Sequence, residues 1–279
     1  MEYAYWIDWQ NTRCEALPKT RIYLGEECCE RRLPPLEQII NWANRLHDQG
    51  NTLTFVTPFV SDAGLILVNN ILDAISSIYD SYEVVCNDWG VFSLVIGRPS
   101  CIPLIGRLLS RQDTDPRLAQ ILDWPFQESL ERDVWHVDGT PVRLKYKPPS
   151  EEYKTHLRTP SIINNRVLSY LSKTGSHRLE LNNPLQGLKL ELIDGWKATI
   201  YIPDVLVSIK RYCSTCPGSP NLQIPNCRNL YSQWIHPSFP APLYSSGNAI
   251  YYLNDVLPDG FEGMGIDRIV LKKICLSST

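Results

Sequence analysis

The stretch RIYLGEECCERRLPPLEQIINWANRLHDQGNTLTFV, residues 21–56, contains the unit from which we predict the fold. Its first part, Arg21 to Leu24, has the composition of a strand, and from Leu36 onward apolar residues recur at helical spacing. The two prolines before Leu36 stand where a helix can begin. Thr52 to Val56 then predicts a second strand. A strand, a helix and a strand in this order favour two parallel strands joined by a right-handed crossover.

The same order of elements continues toward the C-terminus. Ser61 is suited to cap the start of a second helix, and Glu83 to Cys86 predicts a third strand. A barrel of about 250 residues fits the length of the chain, although a doubly wound sheet has the same local order. We therefore predict one α/β domain over residues 1–279, a TIM-barrel-like parallel α/β barrel that is either closed or incomplete. The later elements are predicted as a helix at Ile162 to Lys173, strands at Arg178 to Leu181, Leu188 to Ile193 and Lys197 to Ile202, and apolar segments at Val205 to Ile209, Ala249 to Leu253 and Asp267 to Leu271.

Two stretches depart from this order. Residues 106–155 are basic and irregular at first and then charged and proline-bearing, so we interpret them as an insertion or a lid. Residues 213–246 are rich in proline, cysteine and serine and show little helical periodicity. Such a region needs something other than a hydrophobic core to hold it in place, and a metal cluster would do so. We therefore predict a C-terminal cluster-binding loop.

The composition disfavours several classes of protein. Of the 279 residues, 43% are hydrophobic and 20% are charged, with a net charge of −3, so we expect a large core and no positive field that would attract nucleic acid. No window reaches the ~20 apolar residues of a membrane-spanning helix. The N-terminal stretch MEYAYWIDWQ lacks the pattern of a secretory signal. We expect a cytoplasmic protein that acts on a small molecule.

The nine cysteines suggest a metal site. In a reducing compartment, clustered cysteines are more often metal ligands or catalytic groups than disulfides. Cys213 and Cys216 have the C-x-x-C spacing of two ligands of one metal, and Cys227 follows as a third. The best candidate for a fourth is Cys29, because the strand ends of a barrel meet on one face. From the residues alone, structural zinc, a redox pair and no site at all remain open, and Cys28 competes with Cys29. The other cysteines, which we interpret as ordinary buried residues, are Cys14, Cys86, Cys101 and Cys275.

Six segments, ordered along the chain, resemble the motifs of one protein family. They are Ile22 to Arg32 (YLGE-x-x-C-x-KR), Glu83 to Gly90 (EV-x-x-N-D-x-G), Gly106 to Gln112 (GRLL-x-x-Q), Arg211 to Cys213 (R-C), Asn226 to Arg228 around a later cysteine, and Pro242 to Asn248 (PLY-x-x-GN). The ordered set is far more specific than any one segment. It is similar to the collagenase-like peptidase U32 family, including its UbiU/UbiV-like iron-sulfur proteins.

The resemblance implies a four-iron four-sulfur (4Fe-4S) cluster on a barrel, with one N-terminal and three C-terminal cysteine ligands. By motif position these ligands are Cys29, Cys213, Cys216 and Cys227, and zinc is the alternative metal. UbiV-like proteins place the close pair of cysteines last, whereas here it comes first. Cys216 therefore departs from the family pattern.

The resemblance also implies a reaction, namely oxygen-independent hydroxylation or a related redox step. Members of the family work as a heterodimer, so we expect a second U32-type subunit or a homo-oligomer. As catalytic candidates near the cluster we place Glu26, Asn87, Asp88 and Arg211 at the ends of barrel strands. Their alternative roles are structural, because Asn87 and Asp88 are suited to capping a turn and Arg211 to pairing with a carboxylate.

Two other functions are compatible with the sequence. The family name suggests a peptidase, but the chain has neither a G-x-S-x-G nor an H-E-x-x-H motif. The second alternative is a non-catalytic partner subunit with a structural four-cysteine metal site. Its eight tryptophans and fourteen tyrosines could supply an aromatic interface, although most of them could equally pack the barrel.

Overall fold

A computed structural model describes residues 1–9, 18–122, 130–135, 138–146, 148–210, 232–236 and 240–272. Within these ranges the strands are β1 (Glu2–Trp6), β2 (Arg21–Gly25), β3 (Thr52–Val56), β4 (Tyr82–Cys86), β5 (Cys101–Ile105), β6 (Leu130–Trp135), β7 (Pro141–Tyr146), β8 (Arg178–Leu181), β9 (Lys197–Ile202), β10 (Asp204–Ile209), β11 (Ser232–His236), β12 (Leu243–Ser246), β13 (Ala249–Leu253) and β14 (Ile266–Lys272). The helices are α1 (Leu36–Asp48), α2 (Asp62–Ser76), α3 (Trp89–Ile96), α4 (Arg107–Ser110), α5 (Arg117–Leu122), α6 (Glu151–Arg158) and α7 (Asn165–Ser172), with short 3₁₀ helices at Glu30–Arg32 and Phe261–Met264.

Eight of these strands close into a barrel in the order β1, β14, β9, β8, β5, β4, β3, β2. Every neighbouring pair is parallel, including the pair of β1 and β14 that closes the ring. The predicted TIM-barrel-like parallel α/β barrel is therefore confirmed. All eight strands end at the same face, which we call the barrel mouth.

The first two helices pack on the outside of the barrel as their sequence pattern predicts. Ile39, Ala43 and Leu46 of α1 are buried against the barrel wall, and the apolar face of α2 joins the same core. Ser61 caps α2, since its hydroxyl accepts a hydrogen bond from the Gly64 amide. The interior of the barrel is filled by a separate set of side chains, Ala4, Tyr23, Val56, Val85, Leu104, Tyr201 and Val270.

Ion pairs fill the end of the barrel opposite the mouth. Arg268 donates to both carboxylate oxygens of Glu83, at 2.7 and 2.9 Å, and to Glu2 at 2.6 Å. Arg21 binds Glu2 from the other side at 2.7 Å. Burial alone would raise the pKa of Glu83, but the arginine charges outweigh it and hold this pKa below its usual range. The inward-facing Glu2 also explains why an apolar pattern does not predict β1.

Two antiparallel units are inserted between barrel strands. A hairpin of β6 and β7 lies between β5 and β8 in the chain, within residues 106–155, which also contain α4 and α5. A four-stranded sheet in the order β10, β13, β12, β11, which we call the second sheet, lies between β9 and β14. Of the predicted loop 213–246, the described parts include β11 and β12, whose residues pair across this sheet. Residues 211–231 and 237–239 lie outside the described residues.

Three elements differ from the sequence-based prediction. The strand predicted at Leu188 to Ile193 is wrong, because β8 pairs directly with β9 and leaves no place between them. The helix predicted from Ile162 begins only at Asn165, where the side chain of Asn164 caps it. The sequence also gives no indication of β5, since Pro103 stands in its middle and proline is unusual there. None of the helices in the described ranges has the length and hydropathy needed to cross a membrane.

Candidate functional site at the barrel mouth

A cavity of about 230 Å³ opens at the barrel mouth. This is the face where α/β barrels build their sites, because the loops that follow the strands converge there. Its lining combines aromatic rings with charged groups of both signs. The lining residues that bear on function are Trp6, Glu26, Glu27, Arg32, Arg107, Tyr201, Asp204, Tyr251 and Lys272.

A buried ion pair between Glu27 and Arg107 lies at one side of this cavity. The two residues are only 2% and 4% exposed, and the guanidinium binds both carboxylate oxygens, with Nε 2.8 Å from Oε1. The remaining nitrogen donates to Asn182 at 2.9 Å and to the Asp204 carbonyl at 2.8 Å. The guanidinium also lies 4.2 Å from the ring centre of Tyr201. These contacts fix the ends of four strands relative to one another.

The turn after β2 is held rigidly beside that pair. Gly25 has a φ of +133°, and an added Cβ would collide with the carbonyl oxygen of Val56, so only glycine fits. Glu26 accepts hydrogen bonds from the amides of Glu27 and Cys28 at 3.1 and 3.2 Å. Its other oxygen pairs with Arg32 at 3.1 Å. Glu26 therefore lines the cavity, and it also shapes the turn that carries Cys28 and Cys29.

The structure distinguishes the two adjacent cysteines. Cys28 is 4% exposed and its sulfur lies 3.3 Å from the hydroxyl of Tyr251, in an apolar cluster between the barrel and the second sheet. Burial, with the nearby charges of Glu27 and Glu26, raises the pKa of the Cys28 thiol well above its usual range. Cys29 is half-buried and precedes the 3₁₀ helix Glu30–Arg32.

Asn248 connects this turn to the second sheet. Its side-chain nitrogen donates to the carbonyl of Cys28 at 2.6 Å and to the carbonyl of Lys210 at 3.0 Å. The Lys210 amide in turn donates to the Asn248 carbonyl at 2.7 Å. Lys210 is the last described residue before the segment that contains Cys213. The chain therefore enters that segment directly beside the Cys28–Cys29 turn.

Asn87 and Asp88 directly follow β4, and the side chains of both make hydrogen bonds with backbone groups. Asn87 is buried, donates to the Thr57 carbonyl at 2.9 Å and accepts from the Leu108 amide at 3.0 Å, which ties three strand ends together. Asp88 caps α3 by accepting from the Gly90 amide at 2.7 Å. Both line a second cavity on the other side of Arg107 rather than the mouth cavity. The fourth catalytic candidate, Arg211, lies outside the described residues.

The remaining cysteines fall into two groups. Cys86 and Cys101 are buried in the core, as expected for ordinary packing. Cys101 begins β5, at the end of the barrel opposite the mouth. The predicted ligands Cys213, Cys216 and Cys227 lie outside the described residues, as do Cys14 and Cys275.

No pattern in the sequence predicted the pair that organises the site. Glu27 stands beside the candidate Glu26, and Arg107 is the second residue of the GRLL segment, so both lay within recognised motifs. Because the two residues are 80 positions apart in the sequence, no local pattern indicated that they are in contact. Tyr201 and Tyr251 carried no signal beyond their positions in predicted strands or apolar segments, and Asp204 stands between two such segments.

In the part of the chain that the structure describes, no group of three or more His, Cys, Asp or Glu side chains is placed to hold a metal ion. A site built on Cys29 would therefore need ligands from outside the described residues. Comparison with protein-family models, with curated proteins and with solved structures finds no match to this chain. The family resemblance thus stays a prediction that rests on the motifs alone.

Proposed function

We propose that this chain is an iron-sulfur protein of the U32 type that takes part in oxygen-independent hydroxylation or a related redox step. The cluster would be a 4Fe-4S cluster at the barrel mouth, with Cys29, Cys213, Cys216 and Cys227 as ligands. The observation that supports this best is the position of Asn248. One side-chain nitrogen of this residue binds the carbonyl oxygens of both Cys28 and Lys210.

The contacts of Asn248 limit the distance between Cys28 and Lys210. The two carbonyl oxygens can be no farther apart than the sum of these two hydrogen bonds, 2.6 and 3.0 Å. Cys213 follows Lys210 by three residues, and three extended residues span at most about 10 Å. Three residues are therefore enough for the chain to reach from Lys210 to the Cys28–Cys29 turn, although Cys213 is 184 positions from Cys29 in the sequence. This supports the proposal, because a shared cluster requires its N-terminal and C-terminal cysteines to converge.

The donor groups at this place suit an iron-sulfur cluster. Cysteine thiolates are its usual ligands. Cys28 is poorly placed, because its sulfur is buried against the Tyr251 hydroxyl in an apolar cluster, and the motif position favours Cys29 as the N-terminal ligand. The side-chain oxygen of Asn248 is buried and has no hydrogen-bond partner among the described residues, so it can accept one from the segment that follows Lys210.

The adjoining cavity is suited to a small-molecule substrate. An iron-sulfur cluster supplies one-electron chemistry when bound. The chain's own residues provide the rest, since Trp6 and Tyr201 form apolar walls and the Glu27–Arg107 pair keeps the nearby strand ends in place. A cytoplasmic location suits a protein that must keep its thiols reduced. A second U32-type subunit, or a second copy, belongs to the same proposal.

The proposal is tested by measuring iron, zinc and acid-labile sulfide, with a visible absorption spectrum, on protein purified without oxygen. We expect about four irons and four sulfides per chain, as for a 4Fe-4S cluster with four cysteine ligands. Cys29→Ala and Cys213→Ala should each lose the cluster, whereas Cys101→Ala is the control that should retain it. A full cluster in the Cys213→Ala variant would refute the ligand assignment, and stoichiometric zinc without sulfide would refute the iron-sulfur proposal.

A further inference from the structure

Three aromatic side chains form a continuous line across the second sheet. Trp234 of β11, Tyr244 of β12 and Tyr251 of β13 are direct cross-strand partners. The ring centres of Trp234 and Tyr244 are 5.6 Å apart, and those of Tyr244 and Tyr251 are 5.5 Å apart, with the latter pair nearly stacked. The Tyr251 hydroxyl then lies 3.3 Å from the sulfur of Cys28. Adjacent π systems thus connect one edge of the sheet to the Cys28–Cys29 turn.

The two ends of this aromatic line lie in different environments. Trp234 is 58% exposed, whereas Tyr251 packs against the buried Cys28. Cross-strand aromatic pairs stabilise sheets, so packing alone could account for the rings themselves. Packing does not account for the charged group that contacts the middle ring.

That group is Asp204, whose carboxylate accepts a hydrogen bond from the Tyr244 hydroxyl at 2.6 Å. Its second oxygen lies 2.9 Å from the ammonium of Lys272. Burial, together with the Asp204 charge, raises the pKa of Tyr244, so the phenol keeps its proton in the resting protein. A phenol that loses an electron becomes a strong acid, and Asp204 is a base already in position to take the proton.

We propose that Trp234, Tyr244 and Tyr251 form a route for single electrons between the Cys28–Cys29 turn and one-electron oxidants at the surface. The oxidant takes one electron from Trp234 and is reduced. Tyr244 passes one electron to the Trp234 radical cation and its phenolic proton to Asp204. One electron from the turn then crosses the Tyr251 ring to Tyr244, and the proton returns from Asp204. The net change is the transfer of one electron from the turn to the oxidant.

The inner end of this route rests on the proposed function, because the cluster at Cys29 would supply the electron. The outer steps need only Trp234, Tyr244 and Asp204. They can be measured whether or not the chain binds iron, so failure of the route and failure of the cluster proposal are distinguishable.

The experiment uses the full chain, purified without oxygen, with a flash-excited ruthenium tris-bipyridine complex and a cobalt(III) ammine as electron acceptor. Transient absorption follows the tryptophanyl and tyrosyl radicals. We expect Trp234→Phe and Tyr244→Phe to remove the same part of the tyrosyl signal. Trp135→Phe is the control, since Trp135 is 75% exposed on the β6–β7 hairpin and should leave the signal unchanged. An equal tyrosyl yield in the Trp234 and Trp135 variants would overturn the route.

Asp204→Asn tests the proton step, because asparagine still accepts a hydrogen bond but is a much weaker base. We expect slower formation of the tyrosyl radical without loss of the folded state by circular dichroism. An unchanged rate in this variant would rule out Asp204 as the proton acceptor.

Iron and sulfide are measured on the same preparations. Where the cluster is present, the flash should oxidise it, and Tyr251→Leu should slow that oxidation because the bridging ring is removed. Electron transfer from Tyr244 to the Trp234 radical in protein without iron would support the outer route and contradict the cluster proposal. Iron-loaded protein without that transfer would overturn the route alone.

Discussion

Replacing Glu27 with glutamine tests how much the buried ion pair at the barrel mouth contributes to stability. The change keeps the size of the side chain but removes its charge. The Arg107 guanidinium is then left buried with two neutral acceptors, the side-chain oxygen of Asn182 and the backbone carbonyl of Asp204. Breaking a buried ion pair by removing one partner costs about 3–5 kcal/mol. Because these two acceptors remain and the glutamine oxygen can still accept, we expect a loss of about 3 kcal/mol, the lower end of that range.

The control is Glu26→Gln, one residue away on the same turn. Glu26 pairs with Arg32, and these two side chains are 13% and 16% exposed, against 2% and 3% for Glu27 and Arg107, so loss of the Glu26 charge should cost less than loss of the Glu27 charge. Urea unfolding of both variants gives the difference as a shift of the midpoint at an unchanged slope. The reasoning is refuted if Glu27→Gln shifts the midpoint no more than Glu26→Gln does. A Glu27→Leu, Arg107→Met double variant should recover part of the loss, since it leaves no charge buried without a partner.

Three further predictions concern the turn, an outer tyrosine and the Asn248 contact. Gly25→Ala should destabilise the chain by about 1–3 kcal/mol, since its φ of +133° strains other residues and Cβ collides with Val56; an unchanged melting temperature would contradict this. Burial raises the pKa of Tyr79 to about 12, above the value near 10 of a phenol in the unfolded chain. The protonated phenol therefore makes its full contribution to the free energy of unfolding below pH ~10, and this contribution is lost as the pH rises toward 12. Tyr79→Phe should flatten that fall in urea unfolding, and an unchanged slope would exclude Tyr79 as its source. Asn248→Ala should lower iron and sulfide content relative to the surface control Asn69→Ala on α2, and equal contents would remove the main support for the cluster site.

The elements that the sequence predicts well are those with a regular apolar pattern. The strand from Arg21, helix α1 and the strand from Thr52 all form where the pattern predicts them, because each buries one face or both against a single core. The pattern fails for β1, whose Glu2 faces Arg21 and Arg268 at the end of the barrel opposite the mouth. It also fails for Leu188 to Ile193, where apolar residues pack on the core from a loop.

Only part of the candidate site could be predicted from the sequence, because motifs do not show which polar side chains are held by local hydrogen bonds. Motif positions led to Glu26 and to the Cys28–Cys29 turn, and both lie at the barrel mouth. Asn87 and Asp88 were equally prominent, yet their hydrogen bonds to nearby backbone give them structural roles. Local hydrogen bonds of this kind satisfy polar side chains wherever strands and helices end.

The sequence by itself determined those local elements that have a regular apolar pattern and, through their order, parallel strands whose ends share one face. Only the tertiary structure decided which polar groups meet there. Glu27 forms an ion pair with Arg107, which is 80 residues away in the sequence. The carbonyl of Cys28 accepts a hydrogen bond from Asn248, which is 220 residues away. The spacing of apolar residues indicates which face of a helix or strand is buried, but it does not predict which group a polar side chain will contact. That choice follows from barrel closure, because a buried charge or amide must be satisfied by whichever groups the closed ring brings within hydrogen-bonding distance.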